Sequence, residues 1–127
     1  MAVETNRRFP VQFYEETGVT RLDWRPLITA LLAEQKKGAA AGELAAAFMN
    51  TLVDGGLAQC RAARERTGLT DVVLSGGVFQ NMYLLPRMLD ALQADGFRAY
   101  HHCRVSCNDE GISLGQLMIA NAQRKDV

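Results

Sequence analysis

Apolar positions recur at different spacings along the chain, and each spacing predicts a different element. Residues 9–14 (Phe9-Pro10-Val11-Gln12-Phe13-Tyr14) alternate weakly before Gly18, which suits a short strand that Pro10 confines to an edge or a strand start. Asp23-Trp24-Arg25-Pro26 then opens a helix, with Asp23 as N-cap and Pro26 in the first turn. Leu27, Ile28, Leu31 and Leu32 form its apolar stripe, and Lys36-Lys37-Gly38 ends it with cations and a C-cap glycine. A second helix is predicted from about Gly42 to Arg66, carried by Leu44, Phe48, Leu52 and Leu57. Gly55-Gly56 interrupts that stripe at roughly 1 kcal/mol per glycine. A kink or a close helix contact accounts for the pair before the approach of a ligand does.

The pattern then shortens. Thr70-Asp71-Val72-Val73-Leu74 is a β-branched run bounded by Gly68 and Ser75-Gly76-Gly77, and it reads as a buried parallel strand. Residues 81–94 are helical, with Leu84, Leu85, Met88, Leu89 and Leu92 on one face and Gly96 as the stop. Residues 97–101 alternate as a strand, and Asn108-Asp109 caps a last helix bearing Ile112, Leu114, Leu117, Met118 and Ile119. Two strands joined through a helix imply a parallel pair. So small a parallel sheet needs more neighbours and cover on both faces, so the pattern describes part of a larger α/β domain.

Composition narrows the class. The 127 residues are 48% hydrophobic, but 17 of those positions are alanine, so the core is built mainly from helices. Fourteen basic and fourteen acidic residues cancel. That balance argues against a nucleic-acid binder, which needs clustered cations. No apolar run approaches the ~20 residues of a membrane span, and the first eight residues lack the apolar stretch of a signal peptide. Three cysteines are a poor basis for a disulfide framework, which points to a reducing, cytoplasmic setting.

Three segments could carry chemistry. Ser75-Gly76-Gly77-Val78-Phe79-Gln80-Asn81 joins a strand to a helix, and its glycines leave amide groups open beside a helix start, where phosphate binds well. Asn81 either hydrogen-bonds a ribose or base there or caps the helix. Asn108-Asp109-Glu110-Gly111 holds more polar groups than one cap can use, so Asp109 is available as a metal ligand, though one carboxylate is not a metal site. His101-His102-Cys103 with Cys107 has zinc-binding residue types, but adjacent histidines on a strand point to opposite faces and no second ligand pair follows. Cys60, in mid-helix, reads as a small buried hydrophobe. Ser75 lacks the preceding glycine of a nucleophile elbow.

Taken together, Leu74-Ser75-Gly76-Gly77-Val78-Phe79-Gln80-Asn81 and Asn108-Asp109-x-Gly111-Ile112-Ser113-Leu114-Gly115-Gln116 resemble the C-terminal end of the HypF family. These are the carbamoyltransferases of nickel–iron hydrogenase maturation. The likeness runs less specifically through Ala45–Phe48 and Asp23–Pro26, over residues 9–122. It implies an α/β fold, the second lobe of an actin-like ATPase (ribonuclease H-like) domain, helix-rich with a small parallel sheet. It further implies that Gly76, Gly77 and Asn81 contact ATP, and that Asp109 is one ligand of a divalent metal (zinc, iron or magnesium) holding phosphates. The implied reaction joins ATP and carbamoyl phosphate into carbamoyl-adenylate, whose carbamoyl group passes to the C-terminal cysteine of a HypE-like acceptor. Ser106, Cys107 and Glu110 depart from the family's prolines and glycine, and Glu110 adds negative charge beside Asp109.

On this reading residues 1–127 are one partial domain with 1–8 disordered. The first lobe is missing, the isolated chain is inactive, and an oligomer is compatible with the pattern. The competing expectation is a small non-enzymatic α/β interaction module.

Overall fold

The structure is a computed structural model that describes residues 3–124. It begins with an antiparallel hairpin, β1 (Gln12–Glu16) and β2 (Val19–Asp23), in register from Gln12 opposite Asp23 to Glu16 opposite Val19. Thr17 and Gly18 make the two-residue turn with φ of 52° and 77°, the sense that follows the twist of paired strands. The first strand thus lies slightly later than its alternation predicts, and it has a partner that the pattern did not suggest.

Asp23 ends β2 and is not the N-cap of the next helix; Trp24 holds that position. The carboxylate still serves the helix start, accepting from the Arg25 backbone N–H at 3.0 Å and from the Arg25 guanidinium at 2.8–3.1 Å. These Arg25 hydrogen bonds hold the Asp23 carboxyl below its ordinary pKa.

α1 (Arg25–Lys36) ends where Gly38 turns left-handed at φ 87°. α2 (Ala41–Thr67) runs unbroken through Gly55-Gly56 to a left-handed Gly68. Close packing explains the glycine pair. A Cβ on Gly55 would lie 3.3 Å from Leu22, and one on Gly56 would lie 2.7 Å from the tip of Met88.

α2 is the spine between two apolar clusters. On one side Phe9, Leu27, Leu44 and Ala47 close together. On the other, Val53 meets Leu74, Leu84, Met88, Leu92 and Phe97. The leading residues carry no helix or strand, yet they follow α2: Asn50 Nδ2 donates to the Thr5 carbonyl at 2.7 Å, and Thr51 Oγ1 accepts from the Phe9 amide at 2.8 Å.

β3 (Asp71–Leu74) and β4 (Arg98–His101) pair in parallel, Asp71 opposite Arg98 and Leu74 opposite His101, joined through α3 (Leu84–Ala94). Asp95, just after α3, is gripped by Arg61 and Arg64 of α2 at 2.5–3.0 Å, and Arg64 also lies 4.2 Å over the Phe97 ring. The sheet is covered on one face only, which corrects the expectation of a fully buried strand. Leu74 is buried, whereas Val73 and Tyr100, side by side on the other face, are 68% and 52% exposed. α4 (Ile112–Gln123) buries none of its side chains. No helix among the described residues is long and apolar enough to cross a membrane.

Candidate functional site

Both strands of the parallel pair end at the same edge, and the two chemically suggestive segments start there. β3 runs into Ser75-Gly76-Gly77, a single 3-10 turn (Gly77–Gln80) and Asn81. β4 runs into His102 and then the loop to Asn108. The Gly76 N–H donates to the Cys107 carbonyl at 2.7 Å, so the loop after β4 is tied to the glycine turn after β3. A Cβ on Gly77 would lie 3.7 Å from the Cβ of Asn108. The two motifs, far apart in sequence, therefore form one wall. Gly76 has φ 112° with open space where a Cβ would point, a conformation that L side chains rarely adopt.

The helix start behind this turn is displaced from the glycines. The 3-10 turn intervenes, and α3 begins only after Tyr83. Tyr83 holds the N-cap position of α3, and Asn81 caps the turn before it from two residues upstream, its Oδ1 accepting from the backbone N–H groups of Tyr83 at 2.9 Å and Leu84 at 3.1 Å. Of the two roles open to Asn81, capping is the one its carbonyl oxygen performs, while its Nδ2 donates weakly to Met49 Sδ at 3.9 Å. Asn81 also borders a cleft of about 270 Å³ walled by Gly42, Ala45, Ala46, Met49 and Tyr83.

At the second motif Asn108 is the cap. Its Oδ1 accepts from the Glu110 N–H at 3.0 Å and from the Ser106 hydroxyl at 2.6 Å. Asp109 and Glu110 are exposed. Gly111 sits where a Cβ would come 2.7 Å from the Ser106 carbonyl oxygen, so this loop closes only over glycine.

Among the described residues no three His, Cys, Asp or Glu side chains gather where they could hold a metal. Asp109 is exposed and belongs to no such group among the described residues. The His-Cys segment divides. Cys103 Sγ lies 3.8 Å from the His101 ring, while His102 turns the other way to Ser75. Cys60 packs against the larger apolar cluster, and burial pushes its thiol pKa up. The pairing of His102 with Ser75 is absent from the motif reading; the β3–β4 register was the signal for it.

The carbamoyltransferase family described as "Kae1-like Domain, second subdomain" matches residues 1–116. The chain belongs to the HypF carbamoyltransferase family. Carbamoyltransferase HypF of Synechocystis is 32% identical over 114 residues, 90% of this chain and 14% of that protein. Carbamoyltransferase HypF2 of Cupriavidus necator is 39% identical over 99 residues, 78% of this chain and 12% of its own length. A crystal structure of full-length HypF, in a phosphate- and nucleotide-bound form, superposes with a TM-score of 0.89 at 36% identity, covering 94% of this chain and 16% of that one. The chain thus spans about one-seventh of the HypF of Synechocystis. The fold expected from sequence, a helix-rich α/β lobe with a small parallel sheet, agrees with this HypF assignment.

Proposed function

We propose that the glycine turn at Ser75–Gly77 and the loop at Asn108–Gly111 form one wall of a nucleotide cleft in a HypF carbamoyltransferase. The reaction is ATP-dependent transfer of a carbamoyl group from carbamoyl phosphate, through carbamoyl-adenylate, to a C-terminal cysteine of a HypE-like acceptor in hydrogenase cyanide-ligand synthesis. The observation that carries this reading is the 2.7 Å bond from the Gly76 N–H to the Cys107 carbonyl. That bond uses the Gly76 N–H and ties the Gly77 amide and the exposed Asp109 carboxylate to one edge, at the carboxyl ends of parallel strands, where open α/β sheets take ligands. The nucleotide-bound state of the similar full-length HypF supports it.

On this proposal the Gly77 amide holds phosphate, Gly76 keeps the approach clear of a side chain, and the Asn81 amide turns from Met49 to the sugar or base. Asp109 completes a metal site whose other ligands come from elsewhere in the longer protein. The exposed sheet face around Val73 and Tyr100, with the apolar side chains of α4, takes the first lobe and its neighbours.

Titration of the ¹⁵N-labelled chain with ATP tests the cleft. The largest amide shifts are expected at 76–81 and 106–111, with weak affinity. Gly77→Val, whose Cβ has room in the fold but stands where phosphate would approach, is expected to abolish them. An undiminished response in a folded Gly77→Val chain, or shifts centred elsewhere, overturns the reading.

A further inference from the structure

The uncovered face of the parallel sheet carries three cross-strand pairs in sequence along the strands. Asp71 and Arg98 form an ion pair at 2.5 Å, Val73 stands opposite Tyr100, and beyond the last rung Ser75 meets His102, with Oγ and Nε2 3.0 Å apart. The polar pair therefore sits at the carboxyl end of the sheet, next in sequence to the Gly76-Gly77 turn and its open Gly77 amide.

The two hydrogen-bond directions between these side chains have different consequences. If Nε2 accepts, the Ser75 hydroxyl proton is spent on the ring. If Nε2–H donates, Ser75 accepts with its oxygen and its own proton is free to be given outward. A phosphate oxygen needs the second arrangement, since an ionised phosphate oxygen is an acceptor.

We propose that Ser75 and His102 act as one phosphate-binding unit of the cleft, with His102 a positioning residue that donates from Nε2 to Ser75 Oγ and so directs the Ser75 hydroxyl proton onto a nucleotide phosphate. The proposal rests on the nucleotide reading above and adds to it a side-chain donor beside the Gly77 amide. It also fixes a ring tautomer that no packing role requires. The hydroxyl contact, being a hydrogen bond to a charged group, changes affinity by about tenfold.

The test reads the ring nitrogens of the two histidines by ¹⁵N NMR while the chain is titrated with ATP, inorganic pyrophosphate or adenosine. ATP and pyrophosphate are expected to drive His102 to a ring protonated at Nε2 while adenosine does not. Ser75→Ala and His102→Ala are each expected to weaken ATP about tenfold, and the double variant no more than Ser75→Ala alone, because one acts through the other. His102→Gln, whose amide can still donate, is expected to recover most of the loss, and amide spectra report whether each variant is folded. If ATP shifts residues 76–81 while the His102 ring stays unchanged and His102→Ala binds as the parent does, the pair has no part and the glycine cleft stands. A His102 response to adenosine likewise removes the phosphate assignment. If ATP shifts nothing in the parent chain, the nucleotide reading fails and this inference fails with it.

Discussion

Replacing Gly111 by alanine tests whether the loop after β4 and the glycine turn after β3 are mechanically one unit. The new Cβ would stand 2.7 Å from the Ser106 carbonyl oxygen, whereas ordinary contact begins at 3.4 Å. That backbone has to retreat by several tenths of an ångström. The next carbonyl, that of Cys107, is the acceptor for the Gly76 N–H at 2.7 Å, so the same movement stretches the link between the motifs. Overpacking costs about 1–3 kcal/mol and a weakened backbone hydrogen bond about 1 kcal/mol. Gly111 is the N-cap of α4, where alanine is worse than glycine, so nothing offsets these costs and the local loss is about 2–4 kcal/mol.

Hydrogen exchange at the Gly76 amide reads that loss directly, as opening roughly 30- to 1000-fold more frequent. The global urea midpoint should barely move, because α4 buries no side chain and the apolar clusters lie elsewhere. Gly115→Ala is the matched control, since its Cβ meets nothing within 4 Å. It should steady α4 and leave the Gly76 amide alone. Gly76 exchange unchanged within a factor of two in Gly111→Ala would refute the coupling of the two loops.

Two further outcomes follow from the packing. The Arg61 hydrogen bonds, with help from Arg64, hold the Asp95 carboxyl below the ordinary 3.8. A lowered folded pKa contributes stability above the unfolded value and loses it as pH falls through the folded one. The urea midpoint should therefore drop more steeply below about pH 4 in the parent than in Asp95→Asn, and parallel curves would remove Asp95 from the acid response. For Asn81, the alanine variant should lose about 1 kcal/mol of stability as a cap, while Asn81→Asp keeps the accepting oxygen and should recover most of it. Since Asp lacks the amide, Asn81→Asp should bind ATP more weakly despite its stability, and equal binding would confine Asn81 to capping.

Helix α2 and the strand–helix–strand unit were legible because their apolar periods are long or sharply bounded. Leu44, Leu84, Met88 and Leu92 fall where a helical stripe demands and are buried as it requires. The hairpin was hidden for a physical reason. Every residue of β1 is exposed, and although β2 alternates in burial, its inward positions are Thr20 and Leu22 while Val19 is exposed, so neither strand shows an apolar–polar alternation in sequence. The one local signal was Thr17-Gly18, and threonine is an unusual residue at positive φ. Asp23 misled because one carboxylate next to a helix start can end a strand and still accept from the first turn.

The site was legible at the level of segments and not of partners. Asn, Asp and Gly in short runs announce caps and turns, but which oxygen accepts which N–H depends on where the chain lies in space. The tertiary arrangement used Asn81 and Asn108 as caps and the Gly76 amide as a tie to Cys107, so the groups left open for ligands are Asp109 and the Gly77 amide, with the Asn81 amide held only by the Met49 sulfur. His102 shows the same limit from the other side. Read alone, His101-His102 looks like a ligand pair in which the strand pleat separates the two rings. Once β3 and β4 are in register, that pleat is what matters, because the residue after His101 must face the residue after Leu74. Sequence gives a strand its alternation but not its neighbour. A pair formed across two strands comes into view only when the register is known, and the Ser75–His102 contact depends on a single step of it.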